Sequence, residues 1–311
     1  MLRFLLLLLV GLPMVREPII YLNGEYRPES QARISVFDRG LVLGDGVFDV
    51  VSAWHGSIFK LDRHIERFFQ SLRAARLDTA MTRDDWRQAI IETTRRNGLA
   101  DASIRFLVTR GVPESVVGDP RRYEPTRIVW AAPYVFLADE ETRRRGIRLH
   151  ISQVRGFSPE TLDPRYKCLN RLHFQLARIE ALEAGYDEVT LQTPGGYLGE
   201  SSSSNVFFVK NGTLCTPEDD VLQGITRETV FEIAREAGIP LRTGRFTPFD
   251  LFTADEVFTT STAGGPLAVR EVAGRTLPAS PGPITAAITS AYWQLREAGR
   301  HGTPIGSNQT P

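Results

Sequence analysis

The chain has little lysine, cysteine and histidine, and each shortage excludes a class of protein. Two cysteines among 311 residues cannot form a disulfide framework or a thiolate metal site. Five scattered histidines show no zinc-binding spacing, so we expect no metal. Only Lys60, Lys167 and Lys210 are lysines, and the other 34 basic residues are arginines. Because arginine carries almost all of the positive charge, each lysine becomes a candidate for amine chemistry.

A charge excess and a long apolar run are also absent. Lys+Arg 37 balance Asp+Glu 37, so we expect no generally basic face for nucleic acid, although a local basic pocket stays open. The apolar run in residues 1–14 is about ten residues long, too short to span a bilayer. It lacks the small-residue cleavage site of a signal peptide, so we interpret residues 1–16 as an N-terminal extension. We expect a cytoplasmic protein that binds no membrane.

The composition is typical of a globular protein, with 42% hydrophobic and 24% charged residues. Hairpins and long crossings mix along the chain and predict an α/β (α+β) fold in two domains. We expect a small N-terminal α+β domain over 17–138 and a large C-terminal domain over 147–300. A charged linker over 139–146 joins them, and residues 301–311 form a tail.

Turn and cap signals place the main elements. Asn23-Gly24 and His55-Gly56 predict β-hairpins. Asp62 and Thr82 are expected to begin two helices of the first half. The predicted helices cover 63–77, 82–97, 169–184, 226–237, 248–252 and 283–297. The third of them carries an apolar face formed by Leu172, Leu176, Ile179 and Leu182.

Lys167 is the lysine best placed for chemistry. It lies between an irregular stretch and the apolar helix that follows, so we expect its side chain to point into the structure. Apolar neighbours and nearby arginine favour the neutral amine, the form that makes a Schiff base with an aldehyde. Lys60 ends a hairpin strand and Lys210 precedes a turn, and we expect both to be solvated.

Glu200 stands at the mouth of a buried strand, beside the serines 201–204. A buried carboxylate is costly unless it is paired. A protonated pyridine nitrogen about 4 Å away would contribute on the order of 4 kcal/mol at an effective dielectric constant near 20. Lysine, carboxylate and pyridinium form a coherent set, whereas without such a partner Glu200 is a surface residue of a serine-rich loop.

Two glycine-containing turns are candidate binding sites for a phosphate group. Gly224, Ile225 and Thr226 open a helix, where free backbone N–H groups and the positive end of the helix dipole favour an anion. Residues 261–265 form a second turn rich in hydroxyls and glycine. Arg67 either neutralises the same anion or is one surface arginine among many. Phosphate, pyridinium and aldehyde in one ligand mean pyridoxal 5′-phosphate.

A set of segments in fixed order resembles the fold type IV pyridoxal-phosphate aminotransferases, over about residues 19–297. The segments are Phe37-Asp38-Arg39-Gly40, Gly44-Asp45-Gly46-Val47-Phe48-Asp49, His64-Ile65-Glu66-Arg67, Lys167, Glu200 to Phe207, Leu222 to Arg227 and Thr259 to Gly265. The resemblance implies that Lys167 forms the Schiff base with the cofactor, that Glu200 pairs with the pyridine nitrogen and that Leu222 packs on the ring. It implies that the phosphate is held by Arg67, Gly224, Ile225, Thr226, Ser261 and Thr262. It also implies a homodimer whose active site the partner chain completes.

The chain combines features of several members of this family. Gly44 to Phe48 resembles D-amino-acid transaminases, but Ser115-Val116-Val117 stands where those enzymes carry an Arg-x-His carboxylate trap. Branched-chain transaminases carry Phe-Glu-Gly-x-Arg where this chain has Phe48 to Ser52, and aminodeoxychorismate lyases carry a Gly-Arg-Gly-Tyr loop that is missing from Val112 to Gly118. The (R)-selective amine transaminases share more segments, among them Asp49 to Trp54. On that resemblance the substrate residues are Leu43, Phe48, Val50, Ser52, Ala263 and Gly264, with Arg121 or Arg122 meeting a keto-acid carboxylate.

We therefore predict a transaminase that moves an amino group from an amine or amino-acid donor to a keto acid or ketone, of the (R)-amine or D-amino-acid type. The alternatives are a branched-chain L-amino-acid aminotransferase and a 4-amino-4-deoxychorismate lyase of the same fold. A protein that binds pyridoxal phosphate without catalysis is a third alternative.

Overall fold

The computed structural model describes residues 17–113, 115 and 118–306. The predicted N-terminal extension, the last five residues of the predicted tail, and Val116 and Val117 lie outside the described residues. No helix of the described residues is long and apolar enough to cross a membrane.

The first half of the chain folds into a sheet backed by helices. Its elements are β1 Ile19–Leu22, β2 Glu25–Pro28, α1 Arg39–Leu43, β3 Gly46–Trp54, β4 Ser57–Phe59, α2 Leu61–Ala74, α3 Arg83–Arg96, β5 Ala102–Val112 and β6 Glu124–Pro133. Both predicted hairpins are present, joining β1 to β2 and β3 to β4. The rings of Phe68 and Trp86 pack on Phe106 beneath this sheet and form the centre of its core.

The second half forms a larger mixed sheet. Its elements are α4 Glu140–Arg145, β7 Ile147–Arg155, α5 Leu172–Glu183, β8 Glu188–Gln192, β9 Leu198–Ser201, β10 Asn205–Lys210, β11 Thr213–Pro217, α6 Ile225–Glu236, β12 Leu241–Gly244, α7 Pro248–Phe252, β13 Glu256–Ser261, β14 Gly265–Val272, β15 Arg275–Thr276, α8 Pro283–Glu297 and β16 Gly302–Pro304. The strand order is β12-β11-β10-β13-β14-β7-β8-β9, with β15 paired to β14. Three pairs are parallel, namely β11 with β12, β14 with β7 and β7 with β8. Antiparallel hairpins and parallel crossovers in one sheet confirm the predicted α/β fold.

Two segments that we expected to be irregular contain regular structure. The predicted charged linker contains α4, which begins after Asp139, whose side chain accepts a hydrogen bond from the Thr142 amide. Three residues of the predicted tail form β16, which pairs with β4 and gives the first sheet the order β16-β4-β3-β5-β6-β1-β2. Three-residue strands give no recognisable sequence pattern, because their pairing depends on a distant partner.

Helix starts follow the cap chemistry in one case and not in the other. α3 begins after Thr82, at the predicted place, and Thr82 exchanges reciprocal hydrogen bonds with Asp85. α2 begins two residues earlier than predicted, because the chain turns from β4 through Lys60 in a left-handed conformation, at φ 48°. Asp62 therefore lies in the first turn of α2 and is not its cap.

The prediction that Lys60 is solvated was wrong. Its side chain is only 4% exposed, and Nζ is 2.5 Å from Oε2 of Glu232 on α6. In contrast to Lys60, the apolar face of α5 is exposed to solvent. The exposed fractions of its residues lie between 50% and 72% for Leu172, Leu176, Ile179 and Leu182. The helix instead buries Phe174, Ala177 and Ala181.

Candidate active site

A cavity of about 440 Å³ brings together all the residues that we predicted to hold the cofactor. It lies between the two halves of the chain. Arg67 comes from α2, and the second half contributes Lys167, Glu200, Leu222, Gly224, Ile225, Thr226, Ser261 and Thr262. A larger cavity of about 820 Å³, lined by acidic loops that include Glu160 and Asp219, contains none of these residues.

Lys167 is held in this cavity by backbone contacts with β3. The Phe48 amide donates to the Lys167 carbonyl at 2.9 Å, and the Leu169 amide donates to the Gly46 carbonyl at 3.0 Å. The Lys167 amide donates to Oγ of Ser71 on α2 at 3.2 Å. The lysine is therefore fixed at both sides of its Cα, and Nζ lies 4.9 Å from the centre of the Phe48 ring.

The environment of Lys167 favours its neutral form. Burial and the nearby positive charge of Arg67 lower the pKa of the Lys167 amine from 10.5 to about 7, although Asp49 acts in the opposite direction. Near neutral pH a substantial fraction of this amine is unprotonated. An unprotonated amine is the nucleophile that attacks a carbonyl.

Glu200 is buried on β9 and lines the same cavity. Burial raises the pKa of its carboxyl group, while the positive charges of Arg171 and Lys167 partly offset that effect. A cation placed against this carboxylate would stabilise its ionised form. The predicted partner, a protonated pyridine nitrogen, fits that requirement.

Arg67 is buried and already has an acidic partner. Its Nε and Nη2 donate to the two carboxylate oxygens of Asp49 at 2.8 and 2.7 Å, and Nη1 donates to the Gln223 carbonyl at 3.1 Å. His64 Nδ1 lies 2.8 Å from the same carboxylate. Burial alone would raise the pKa of Asp49, but the charges of Arg67 and His64 outweigh it and hold the pKa well below its ordinary value. Asp49 therefore fixes the orientation of Arg67, a role that sequence reasoning missed.

The phosphate end of the site fits an anion. Gly224 caps the start of α6, and a Cβ at this glycine would clash with Oδ1 of Asn205. The hydroxyls of Ser204 and Thr260 are buried at this cavity and have no hydrogen-bond partner within the described residues. Unpaired buried hydroxyls require a partner, and phosphate oxygens accept such hydrogen bonds. The residues present therefore fit pyridoxal 5′-phosphate.

The predicted substrate residues are divided between the cavity and other places. Phe48, Val50 and Ala263 line the cavity, whereas Leu43, Ser52, Gly264, Arg121 and Arg122 do not. Ser52 accepts a hydrogen bond from Arg296, and Leu43 is 58% exposed on α1. Arg121 and Arg122 are exposed beside Asp119. The substrate roles of all eight residues stay predictions.

Several cavity residues were missed in the sequence. Ser103, Arg105 and Leu107 alternate along β5 and face the cavity together. The period of two in this strand could have revealed them, had the face that points to Lys167 been known. Trp130 on β6 and Arg171 before α5 also line the cavity. Within the described residues, no group of acidic, histidine and cysteine side chains could hold a metal ion.

Comparison with known proteins identifies the family. Residues 46–272 match the family described as amino-transferase class IV. A Methanocaldococcus jannaschii protein named putative branched-chain-amino-acid aminotransferase is 41% identical over 261 residues, covering 83% of this chain and 89% of that protein.

Solved structures give the same result. The Escherichia coli branched-chain amino acid aminotransferase has a TM-score of 0.90 at 28% identity, covering 94% of this chain and 100% of that one. The branched-chain amino acid aminotransferase of T.th. has been solved with pyridoxamine 5′-phosphate and with N-(5′-phosphopyridoxyl)-L-glutamate. Both structures have a TM-score of 0.88 at 29% identity, covering 94% of this chain and 99% of that one. With the predicted cofactor residues gathered at one cavity and this similarity along most of its length, the chain belongs to the class IV amino-transferases and is a pyridoxal-phosphate-dependent aminotransferase.

Proposed function

We propose that this aminotransferase acts on branched-chain L-amino acids and their keto acids. The observation that carries the proposal is an apolar wall in the cavity of Lys167, in a chain whose similar proteins are named branched-chain aminotransferases. These relatives support that alternative better than the (R)-amine or D-amino-acid type that the sequence segments favoured.

The apolar walls of the cavity suit an aliphatic side chain. Phe48, Val50, Leu107, Trp130 and Leu137 line it. Full burial of a leucine, isoleucine or valine side chain contributes about 1.5–3 kcal/mol relative to water. A polar or charged side chain would lose hydration against the same walls without recovering it.

Arg105 offers a positive charge in this apolar setting. Its guanidinium carbon lies 5.5 Å from the ring centres of both Phe48 and Trp130. It forms no ion pair within the part of the chain that the structure describes. We propose that Arg105 binds a carboxylate of the amino acid or keto acid, because a guanidinium matches a carboxylate with two parallel hydrogen bonds.

In this proposal the residues of the cavity have separate roles in the reaction. Bound here, pyridoxal 5′-phosphate supplies a ring that stabilises negative charge at the substrate α-carbon. Lys167 accepts the α-proton at Nζ and returns it as a general acid, for which its pKa of about 7 is suited. Glu200 stabilises a positive charge placed against its carboxylate, and Arg67 and the start of α6 stabilise a bound phosphate.

We also propose that the chain works as a homodimer. The apolar face of α5 is exposed, and on α1 Leu41, Val42 and Leu43 are also exposed. The start of α5 and the end of α1 are connected, since Asn170 before α5 donates to the Gly44 carbonyl after α1 at 3.1 Å. Exposed apolar surface of this kind indicates a protein interface, and we propose that a second copy covers it.

A donor panel tests the proposed substrate class. L-Leucine, D-alanine and (R)-1-phenylethylamine are each offered with 2-oxoglutarate, and the cofactor absorption and the product are followed. We expect the highest kcat/KM with L-leucine. Preference for either of the other donors would refute the branched-chain assignment in favour of the D-amino-acid or (R)-amine type, and pyruvate release from 4-amino-4-deoxychorismate would indicate the lyase.

A further inference from the structure

Arg296, near the end of α8, is a buried cation without an acidic partner. The residue is 3% exposed, and within the described residues it forms no ion pair. Its Nη1 donates to Oγ of Ser52 at 3.0 Å and to the Tyr292 hydroxyl at 3.4 Å, while Nε and Nη2 are buried without a partner. Burying a charge in this way is costly. A purely structural position would be occupied more favourably by an apolar side chain.

Aromatic rings surround this guanidinium. Its carbon lies between 5.4 and 6.0 Å from the ring centres of Phe59, Tyr134, Tyr292 and Trp293. The negative faces of aromatic rings attract a cation, so they offset part of the cost of burial and fix the guanidinium in place.

The two tyrosines of this group contact the turn that borders the cavity. The Tyr134 hydroxyl accepts a hydrogen bond from the Gly264 amide at 2.7 Å and donates to the Thr262 carbonyl at 3.4 Å. The Tyr292 ring packs so closely on Gly265 that a Cβ there would clash with Cε1 of the tyrosine. Thr262 and Ala263, between these contacts, line the cavity. Arg296 thus touches both residues that hold the turn from behind.

Ser52 connects the same guanidinium to the opposite wall of the cavity. It lies on β3 with Phe48 and Val50, which line the cavity. Residues at i, i+2 and i+4 of a strand share a face. Through Ser52, Arg296 is bonded to the strand that carries the cavity wall in the first half, while its tyrosine contacts reach the turn of the second half.

We propose that Arg296 is a positioning residue which, through Tyr134 and Tyr292, fixes the 262–265 turn so that Thr262 and Ala263 meet the anionic groups of cofactor and substrate. The proposal rests on the proposed function, because those anions are the phosphate of pyridoxal phosphate and the carboxylate of the substrate. Arg296 touches neither of them. We expect Arg296 to affect the binding of these anions and not the chemical step at Lys167.

The first test replaces Tyr134 by phenylalanine, which removes one hydroxyl and leaves the Gly264 amide unpaired. Because an unpaired amide in a partly buried turn is unfavourable, we expect the Kd of the cofactor-free protein for pyridoxal phosphate and the KM for its best amino donor to rise by roughly tenfold. We expect kcat to change by less than about threefold, because Lys167 is untouched. Tyr21→Phe is the matched control, since its hydroxyl contacts Met81 in the core of the first half.

The second test concerns Arg296 itself. Arg296→Met is expected to reproduce the rise in Kd and KM, and Arg296→Lys to recover part of it by keeping a donor for Ser52. Because both residues act on the same 262–265 turn, the double variant Arg296→Met, Tyr134→Phe should raise Kd and KM by less than the product of the two single effects. Tyr134→Phe keeps the proposal testable if the arginine variants do not fold.

The outcomes separate this proposal from the proposed function. Variants that lower the melting temperature but leave both Kd and KM within about twofold of the parent protein would show a structural role only and overturn the proposal. A parent protein that prefers (R)-1-phenylethylamine or D-alanine to L-leucine would refute the proposed function, whereas the expected rise in the Kd for pyridoxal phosphate would then still support the role of Arg296.

Discussion

Lys167 and Lys60 show what decides the chemistry of a lysine in this chain. Lys60 is buried against the Glu232 carboxylate, whereas Lys167 is half-buried in the cavity that also contains the Arg67 guanidinium. An acidic partner favours the charged form, and burial beside a cation favours the neutral form. The arginine-rich composition made Lys167 a candidate, and its place in the cavity agrees with that prediction, whereas the burial of Lys60 depends on α6, which is distant in sequence.

Replacing Lys167 by alanine removes the amine that we propose to form the Schiff base with the cofactor. We expect Lys167→Ala to lack the visible absorption band of the protein-bound cofactor and to lose turnover by at least about 10³-fold, because nucleophile and proton carrier are lost together. Absorption spectra and a transaminase assay check this. Lys210→Ala, at the end of β10 and outside the cavity, is the control, and an unchanged spectrum in the Lys167 variant would contradict the assignment.

The lowered pKa of Lys167 predicts a pH dependence. The rate at which the cofactor-free protein combines with pyridoxal phosphate should rise with pH up to about 7 and level off above it, because only the neutral amine reacts. Stopped-flow absorbance at several pH values measures that rate. A rate that keeps rising toward about pH 10 would show that the amine has its ordinary pKa.

The same shift has a consequence for stability. Between pH 7 and 10.5 the unfolded chain binds a proton at Lys167 that the folded chain does not. The contribution of this residue to the free energy of unfolding therefore increases as the pH rises through that window.

Among the elements, the start of α6 requires a glycine because a larger side chain would not fit there. Gly224 has an ordinary φ of −67°, so its backbone tolerates other residues. A side chain at this position, however, would collide with Asn205, whose amide donates to the Leu222 carbonyl at 2.9 Å. The sequence correctly placed a glycine before a helix, but only the contact with β10 shows why it is needed.

Gly224→Ala should therefore weaken cofactor binding. The added methyl group displaces Asn205 and with it the loop before α6, and we expect the Kd for pyridoxal phosphate to rise by roughly tenfold, which corresponds to about 1.4 kcal/mol. Titration of the cofactor-free protein measures this constant. Gly244→Ala, at a glycine with open space around it, should leave the Kd unchanged. Equal effects of the two substitutions would disprove the steric explanation.

The apolar face of α5 shows what hydrophobic periodicity can and cannot predict about a helix. The spacing of Leu172, Leu176, Ile179 and Leu182 predicted an amphipathic helix, and the helix is present. Periodicity shows which residues share a face but not whether this chain covers it. In the structure the covered face is the one with Phe174, Ala177 and Ala181.

At the scale of the whole molecule, this face predicts an assembly. We expect Leu176→Glu, Ile179→Glu to convert a dimer to a monomer, because it places two charges in an apolar interface. Light scattering after gel filtration gives the mass, and Phe249→Glu, at an exposed residue of α7, is the control. A parent protein that is already monomeric would refute the homodimer.

The sequence by itself determined the catalytic lysine candidate, the acidic residue at the mouth of β9, the glycine turns and the alternation of strands and helices, because these depend on local chemistry and spacing. It also carried the order of segments that places the chain in its family. Tertiary structure decided the rest. Asp49 beside Arg67, Arg105 in the cavity and Arg296 behind the 262–265 turn acquire their places only when strands and helices far apart in the chain pack together. Their side chains act through neighbours that no local pattern contains.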